Sequence, residues 1–207
     1  MKKIMTIFGT RPEAIKMAPL VKALEKDAEL EPVVVVTAQH REMLDSVLNT
    51  FDITPCHDLN IMKSGQTLSD ITSKSMVLLE EVIKKESPDM VLVHGDTVTT
   101  FSGSLAAFYN QLPIGHVEAG LRSYDKYSPF PEEMNRQMVG VMADLHFAPT
   151  FNAAKNLLDE GKSSNNVVIT GNTAIDAMNY TINDNYTSQI IDKHRNKKFI
   201  LLTAQDR

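Results

Sequence analysis

Two carboxylates stand directly after two short apolar runs in the middle of the chain. Asp96 follows the run 90–93 in MVLVHGDT, and Glu118 follows the run 113–117 in PIGHVE. A helical pattern separates the two runs, so the segment predicts a strand, a helix and a second, parallel strand. Parallel strands bring their carboxyl ends to one edge of a sheet, where open α/β sheets bind ligands. We therefore interpret Asp96 and Glu118 as candidate acid/base residues of an active site.

A candidate anion-binding residue lies near the start of the chain. The run 4–8 predicts a buried strand, and Thr10 with Glu13 forms a capping-box pattern that opens a helix to about residue 26. Arg11 stands where the strand meets the helix, and free N–H groups beside an arginine suit an anion. The alternative is that Arg11 is a solvated first-turn residue and Glu13 is only a cap.

A third group of charged residues opens a helix later in the chain. Glu132 and Glu133 follow a loop at 123–130, in the segment FPEEMNR. Acidic residues in a first turn favour the helix dipole, which is one explanation for both. The other explanation is functional: the loop returns the helix start, with its carboxylates, to the crevice that holds Asp96 and Glu118.

The remaining pattern predicts an α/β domain in which strands and helices alternate. Further strands are predicted at 32–37, 58–62, 145–148 and 167–170, with Thr67/Asp70 and Thr173/Asp176 as cap pairs of intervening helices. We assign residues 1–182 to this domain and the polar stretch 183–197 to a linker. Residues 198–207, with a strand at 199–203, would begin a second α/β domain. The alternative is that this strand adds to an edge of the first sheet.

The composition and charge of the chain argue against several classes of protein. The chain has 207 residues, a net charge of −5 and one cysteine, Cys56. The charge and the lack of a basic block disfavour a nucleic-acid partner, and one cysteine cannot build a disulfide framework or a zinc cluster within the chain. The apolar run at 4–8 is too short for a secretory leader, and no segment reaches the length of a membrane span. We expect a cytoplasmic protein with no membrane partner.

The residues set out above lie in segments that resemble the non-hydrolysing UDP-N-acetylglucosamine 2-epimerases. The resemblance covers nearly the whole chain, and the segments follow in order. They are FGTRPEAIKMAPL (8–20), VTAQHREMLD (36–45), DLNIM (58–62), VLVHGDTVTT (91–100), GHVEAGLR (115–122), YSPFPEEMNR (127–136), HFAPT (146–150) and GNTAIDA (171–177). The family implies an α/β fold with a Rossmann-like parallel sheet and helices on both faces, as the first half of a GT-B-like two-domain architecture.

The resemblance also implies an activity and its partners. UDP-N-acetylglucosamine and UDP-N-acetylmannosamine would interconvert by elimination and re-addition of UDP, through a 2-acetamidoglucal, for cell-surface polysaccharide synthesis. No cofactor or metal is needed, because hydrogen leaves and returns as a proton, and relatives suggest a homodimer. The implied roles are catalysis for Asp96, Glu118 and Glu132, substrate binding for Arg11, His116 and Arg136, and contact with a regulatory UDP-N-acetylglucosamine for Gln39, His40 and Gln66. We expect His116 on the same strand face as Glu118, because strand side chains repeat every second residue.

One feature departs from the family pattern and keeps an alternative open. The family continues from the strand at 199–203 into a segment whose histidine is implicated in catalysis, whereas this chain has Gln205 there and Asp206 next to it. Glutamine cannot transfer a proton near neutral pH as imidazole does. The alternative function is a truncated, non-catalytic UDP-sugar-binding or dimerisation domain. A metal-dependent hydrolase is a further alternative, since two His/acid pairs end the strands that precede Asp96 and Glu118.

Overall fold

Strands and helices alternate along the chain, as the sequence pattern predicts. The structure is a computed structural model that describes residues 1–38, 41–63, 65–183, 185–194, 196–198, 200 and 202. Its strands are β1 (Lys2–Phe8), β2 (Leu30–Val36), β3 (His57–Asp58), β4 (Met90–His94), β5 (Ile114–Val117), β6 (Leu145–Ala148) and β7 (Val167–Ile169). Its helices are α1 (Arg11–Lys26), α2 (Arg41–Thr50), α3 (Leu68–Glu86), α4 (Val98–Tyr109), α5 (Glu132–Met142), α6 (Phe151–Asp159), α7 (Thr173–Thr181) and α8 (Gln189–Lys193), with a short 3₁₀ helix at Ser164–Asn166.

The described strands form one parallel sheet in the order β3-β2-β1-β4-β5-β6-β7. The chain builds outward from β1 to β3 and then returns to place β4 on the other side of β1, where Ile7 pairs with Val93. The order of strands therefore reverses between β1 and β4. A crevice opens at the carboxyl ends of the strands at such a reversal, and ligands bind there in open α/β sheets. The turn with Arg11 and the turn with Asp96 flank this crevice.

Helices cover both faces of the sheet, which confirms the predicted Rossmann-like arrangement. One face packs against α1, α2 and α7 around a cluster that includes Phe8, Met17, Leu44 and Ala177. The other face packs against α3, α4 and α5 around a cluster that includes Met5, Leu79, Val93, Ala106 and Val139. The apolar stripes of these helices are thus buried against the sheet. None of the helices in the described ranges has the length and apolar character needed to cross a bilayer.

Side-chain caps fix where several helices begin. The predicted capping boxes Thr10/Glu13 in α1 and Thr67/Asp70 in α3 are both present. In each, the threonine oxygen accepts from the backbone of the acidic residue, whose carboxylate accepts in return from the threonine N–H. The predicted cap of α7 is wrong: Asn172, and not Thr173, caps this helix by accepting from Ala174 N at 3.0 Å.

Two predicted elements differ from the observed ones. The third strand was expected at 58–62, but β3 covers only His57–Asp58. Asn60 has φ +42°, and its N–H donates to Asp58 Oδ1 at 3.2 Å, so a local turn ends the strand. The stretch predicted as an irregular linker contains the short helix α8. The predicted strand at 199–203 lies largely outside the described residues.

Ser87 ends α3 in a backbone conformation that suits glycine. It has φ +47° and ψ +58°, and its N–H donates to Ile83 O. A left-handed conformation strains residues that carry a Cβ. We therefore expect Ser87→Gly to raise the free energy of unfolding by about 0.5–1 kcal/mol, measured by urea denaturation. Ser73→Gly, at an exposed position inside α3, should instead lower it by about 0.5 kcal/mol; a loss for both would contradict the strain at Ser87.

Candidate active site

Asp96 and Glu118 lie at adjacent strand ends, as predicted. His94 at the end of β4 pairs with Val117 at the end of β5, and Gly95 N donates to Val117 O at 2.8 Å. A Cβ built on Gly95 would lie 3.5 Å from Glu118 Oε2, so the Glu118 carboxylate lies against the turn that carries Asp96. The two turns form one wall of the crevice.

The surroundings of Asp96 raise the pKa of its carboxyl group towards neutral pH. Burial, together with the nearby charges of Glu118, Glu132 and Glu13, raises the pKa of Asp96 to about 6 against the opposing charge of Arg136. Arg136 Nη2 lies 2.8 Å from Asp96 Oδ2. A carboxyl group with a pKa near the working pH can both accept and donate a proton. The position therefore suits a general acid/base.

The same pKa shift makes a prediction about stability. The ordinary pKa of Asp96 is 3.8, and in the folded protein it is about 6. Between these pH values the folded chain binds more protons than the unfolded chain, so this group's stabilising contribution is lost as the pH rises through the window. Above pH 6 the buried charge should cost about 1–3 kcal/mol. Asp96→Asn is therefore expected to raise the free energy of unfolding by about that amount at pH 7, but not at pH 4.

Urea denaturation at the two pH values measures this effect. Asp159→Asn is a suitable control, because Asp159 is exposed and its ion pair among the described residues is with Lys155 on the same helix. It should change the free energy of unfolding by less than about 0.5 kcal/mol at either pH. An equal gain for Asp96→Asn at pH 4 and pH 7 would show that burial of charge is not the cause.

Glu118 pairs with a lysine that the sequence analysis did not single out. Lys16 of α1 forms an ion pair with Glu118 Oε1, and the Glu118 side chain is 16% exposed. Lys16 stands three residues after Glu13 and hence on the same side of α1, a spacing that could have revealed it. His94 Nε2 lies 3.7 Å from Glu118 Oε2. Burial, with the nearby charge of Lys16, lowers the pKa of His94 to about 3, so His94 is neutral at pH 7.

The expectation that His116 and Glu118 share a strand face is wrong. His116 pairs with Val93 and so lies on the face covered by α3 and α4. β5 ends at Val117, and Glu118 turns away with φ +62° to meet Lys16 of α1 on the other face. His116 is fully buried, and its Nε2 lies 2.7 Å from Gly95 O. Its predicted contact with substrate stays a prediction; in the structure it supports the Gly95 turn.

The start of α5 returns to the crevice, as the functional explanation of Glu132 and Glu133 required. Asn135 Nδ2 donates to Asp96 O at 2.9 Å, and Arg136 reaches the Asp96 carboxylate. Glu132 is close enough to Asp96 to raise its pKa. Glu132 Oε2 is buried and has no hydrogen-bond partner among the described residues. The site therefore includes a third carboxylate with an oxygen free to bind a ligand.

Glu133 has a different structural role from Glu132. It is fully buried and accepts hydrogen bonds from Ser123 N at 3.0 Å, Tyr124 N at 3.1 Å and Gln137 Nε2 at 2.7 Å. Burial alone would raise the pKa of Glu133, but these donors outweigh it and the pKa is lowered. Glu133 thus closes the loop before α5 and fixes where the helix begins. Neither explanation considered for Glu133 in the sequence, the helix dipole or a role in the chemistry, predicted these hydrogen bonds.

The remaining predicted site residues make no hydrogen bond or ion pair with Asp96 among the described residues. Arg11 is the exposed first residue of α1 and lines a groove of about 540 Å³ between α1, α2 and α7, beside Met43 and Met178. Gln66 accepts a hydrogen bond from Lys63 N, just before α3. Gln39 and His40 lie outside the described residues, as do Gln205 and Asp206.

The arrangement gives little support to the metal-site alternative. His94 and His116 lie on opposite faces of the sheet, because His94 pairs with Val117 and His116 with Val93. No group of three or more His, Cys, Asp or Glu that could hold a metal ion occurs in the part of the chain that the structure describes. The two His/acid pairs therefore do not converge on one point.

Comparison with known proteins identifies the family. The family model for UDP-N-acetylglucosamine 2-epimerase matches residues 22–205. A Bacillus subtilis protein named UDP-N-acetylglucosamine 2-epimerase is 62% identical over 99% of this chain and 54% of its own length. A Staphylococcus aureus MnaA structure with UDP is 77% identical, with a TM-score of 0.90 over 96% of this chain and 52% of its own.

A Neisseria meningitidis UDP-GlcNAc 2-epimerase structure, bound to UDP-GlcNAc, is 54% identical with a TM-score of 0.84, over 86% of this chain and 48% of its own. The chain thus spans about half the length of the proteins it matches. These structures share the Rossmann-like fold described above. With the family model matching residues 22–205, the chain belongs to the UDP-N-acetylglucosamine 2-epimerase family.

Proposed function

We propose that this chain carries the carboxylate-bearing half of the active site of a non-hydrolysing UDP-N-acetylglucosamine 2-epimerase. The observation that carries the proposal is the position of Asp96, whose pKa of about 6 arises in a partly buried turn beside Glu118 and Glu132. The relatives' names and the Neisseria meningitidis structure with UDP-GlcNAc support the choice of substrate. The products would be UDP-N-acetylmannosamine and, in reverse, UDP-N-acetylglucosamine.

The proposed reaction begins with loss of UDP. The C–H bond at C2 is not next to a carbonyl, so a carboxylate is badly matched to remove that proton directly. When the C1–O bond to UDP breaks, C1 becomes cationic and acidifies the C2 proton. A carboxylate takes the proton, the C–H electrons form the C1–C2 double bond, and 2-acetamidoglucal remains with UDP. Protonation of C2 from the opposite face and return of UDP to C1 give the epimer.

The contacts in the site suggest how the carboxylates divide this work. Glu118, which pairs with Lys16, would stabilise positive charge near C1, as carboxylates do in glycoside hydrolysis. Asp96, with its raised pKa, and Glu132, with an unpartnered oxygen, would handle protons on the two faces of C2. Arg136 orients Asp96, and Arg11 at the start of α1 would contact the diphosphate.

The proposal also includes a second domain, the oligomeric state, the location of the protein, the use of its product and a regulatory ligand. Residues 198–207 would begin the second domain of a GT-B-like architecture; Ile200 and Leu202 are 92% and 86% exposed, which suits apolar residues that another layer covers. The family resemblance supports a homodimer, a cytoplasmic location and a product used in cell-surface polysaccharides. It also supports a regulatory UDP-N-acetylglucosamine beside Gln39, His40 and Gln66, and a substrate contact for His116.

The alternative function is a non-catalytic domain that binds UDP-sugar or forms dimers. One observation favours it: Gln205 stands where the family resemblance places a histidine. On this alternative the carboxylates would still face a bound sugar, but no proton exchange would occur at C2.

One experiment separates the two functions. The purified protein is weighed by intact mass spectrometry, and the same sample is incubated with UDP-N-acetylglucosamine in D2O and followed by proton NMR. Deuterium at C2 together with the manno isomer would establish epimerisation. If a protein of about 207 residues gives neither signal, the non-catalytic domain is established. If a protein that also carries the second domain gives neither signal, the proposed function is refuted.

A further inference from the structure

Glu13 is a buried carboxylate that does more than cap its own helix. It is 2% exposed. Glu13 Oε2 accepts from Gly9 N at 2.8 Å and Thr10 N at 2.7 Å, which completes the capping box of α1. The cap therefore uses one of the two carboxylate oxygens. The second oxygen is directed elsewhere.

That second oxygen reaches the turn that carries Asp96. Glu13 Oε1 accepts from Thr97 Oγ1 at 2.6 Å. Thr100 Oγ1 lies 3.1 Å from the same oxygen, but its single hydroxyl proton also has His94 O as an acceptor at 2.5 Å. Thr97 directly follows Asp96 and is itself the N-cap of α4. One side chain thus joins the turn after β1, which carries Arg11, to the turn after β4, which carries Asp96. These turns flank the crevice where the strand order reverses.

The junction between the two turns is closely packed. A Cβ on Gly9 would lie 2.0 Å from Thr37 Oγ1 and 2.7 Å from Thr99 Oγ1. Those two hydroxyl groups lie 2.8 Å from each other. The turn after β1 therefore has little room to shift relative to the start of α4, and the Glu13 links act on a rigid base.

The other capping box in the chain lacks such a link. Asp70 of α3 accepts from Thr67 N at 2.9 Å and Thr67 Oγ1 at 2.7 Å through the same oxygen, at an exposed position. The motif is the same, but both donors belong to one residue of its own helix end. Burial and the cross-link to a second turn are therefore features of Glu13 and not of capping boxes in general.

We infer that Glu13 is a positioning residue, whose carboxylate fixes Asp96 relative to the Arg11 turn through Thr97. The structural part of this inference stands on the contacts above. Its consequence for turnover rests on the proposed function. Because the charge of Glu13 also acts on Asp96, removing that charge should favour the ionised form of Asp96 and lower its pKa.

The first test needs no activity. The pKa of Asp96 is measured in the 207-residue chain by carbon NMR of the side-chain carboxyls, assigned with Asp96→Asn. Glu13→Gln is expected to lower the pKa of Asp96 from about 6, because a negative charge that raises it is removed. It should also speed hydrogen exchange at the Gly9 and Thr10 amides. Asp70→Asn, the matched control, should leave both readouts unchanged. A folded Glu13→Gln variant with the parent's exchange rates at these amides would overturn the inference.

The second test measures turnover in the form of the protein for which epimerisation is observed. Glu13→Gln should lower kcat by about tenfold or more with little change in KM, because a misplaced catalytic group loses rate while binding persists, and Asp70→Asn should not. If Glu13→Gln does not fold, Thr97→Val removes the link and keeps the carboxylate; unchanged kcat in that variant would contradict the inference. A parent protein without epimerisation refutes the proposed function alone, since the amide exchange still decides the role of Glu13.

Discussion

Replacing Asp96 with asparagine is expected to lower the rate of epimerisation by about a hundredfold or more, the usual scale for a general acid/base. Asparagine keeps the shape of the side chain but cannot take up or release a proton. Glu118→Gln should have an effect of similar size, because the cation that develops near C1 would lose its compensating charge. The measurement is kcat/KM for both directions, followed by proton NMR.

The expected stability of Asp96→Asn allows a loss of activity to be separated from a loss of folding. Asp96→Asn should be at least as stable as the parent at pH 7, so lost activity cannot be ascribed to unfolding. Asp159→Asn serves again as the control, since its carboxylate lies on the exposed surface of α6, and its rate should stay within about twofold of the parent. Near-normal turnover in both Asp96→Asn and Glu118→Gln would refute the assignment of the site.

Gly120→Ala is expected to lower the free energy of unfolding by about 3 kcal/mol or more. Gly120 has φ +87°, and an added Cβ would lie 2.2 Å from Ala153 O and 2.8 Å from Ala153 C. Those are backbone atoms of α6, which cannot swing aside as a flexible side chain could. The variant must therefore displace α6 from the end of β5 or adopt another backbone conformation. Urea denaturation followed by circular dichroism measures the loss.

Gly161 provides the matched comparison. It has a similar φ, +84°, but a Cβ there would meet no atom within 4 Å. Gly161→Ala should therefore cost only the strain of the left-handed conformation, about 1 kcal/mol. The difference between the two variants isolates the collision with α6. Equal losses would mean that backbone strain alone accounts for Gly120.

Much of the fold follows from local signals in the sequence. Each capping box joins residues three apart, so the starts of α1 and α3 are readable from Thr10/Glu13 and Thr67/Asp70 alone. The apolar runs before Asp96 and Glu118 likewise place both carboxylates at strand ends. β3 was harder, because its length depends on a turn at Asn60 that no periodic pattern marks.

Contacts between distant residues account for what the sequence did not reveal of the site. Lys16 and Glu118 are 102 positions apart, and Glu13 and Thr97 are 84 apart. No spacing rule connects such pairs until the sheet brings their strands together. The face of Glu118 was misjudged for a related reason: the rule of alternating side chains holds only while the strand continues, and β5 ends one residue earlier.

The backbone at Glu118 has a consequence for how this protein would change over many generations. A glutamate holds a left-handed conformation, φ +62°, in which glycine or asparagine would be less strained. Backbone strain alone would therefore favour replacement at this position, whereas the ion pair with Lys16 and the proposed role of the carboxylate oppose it. In lineages that no longer use the activity, we expect substitution to reach Glu118 early, while the buried residues beneath it persist.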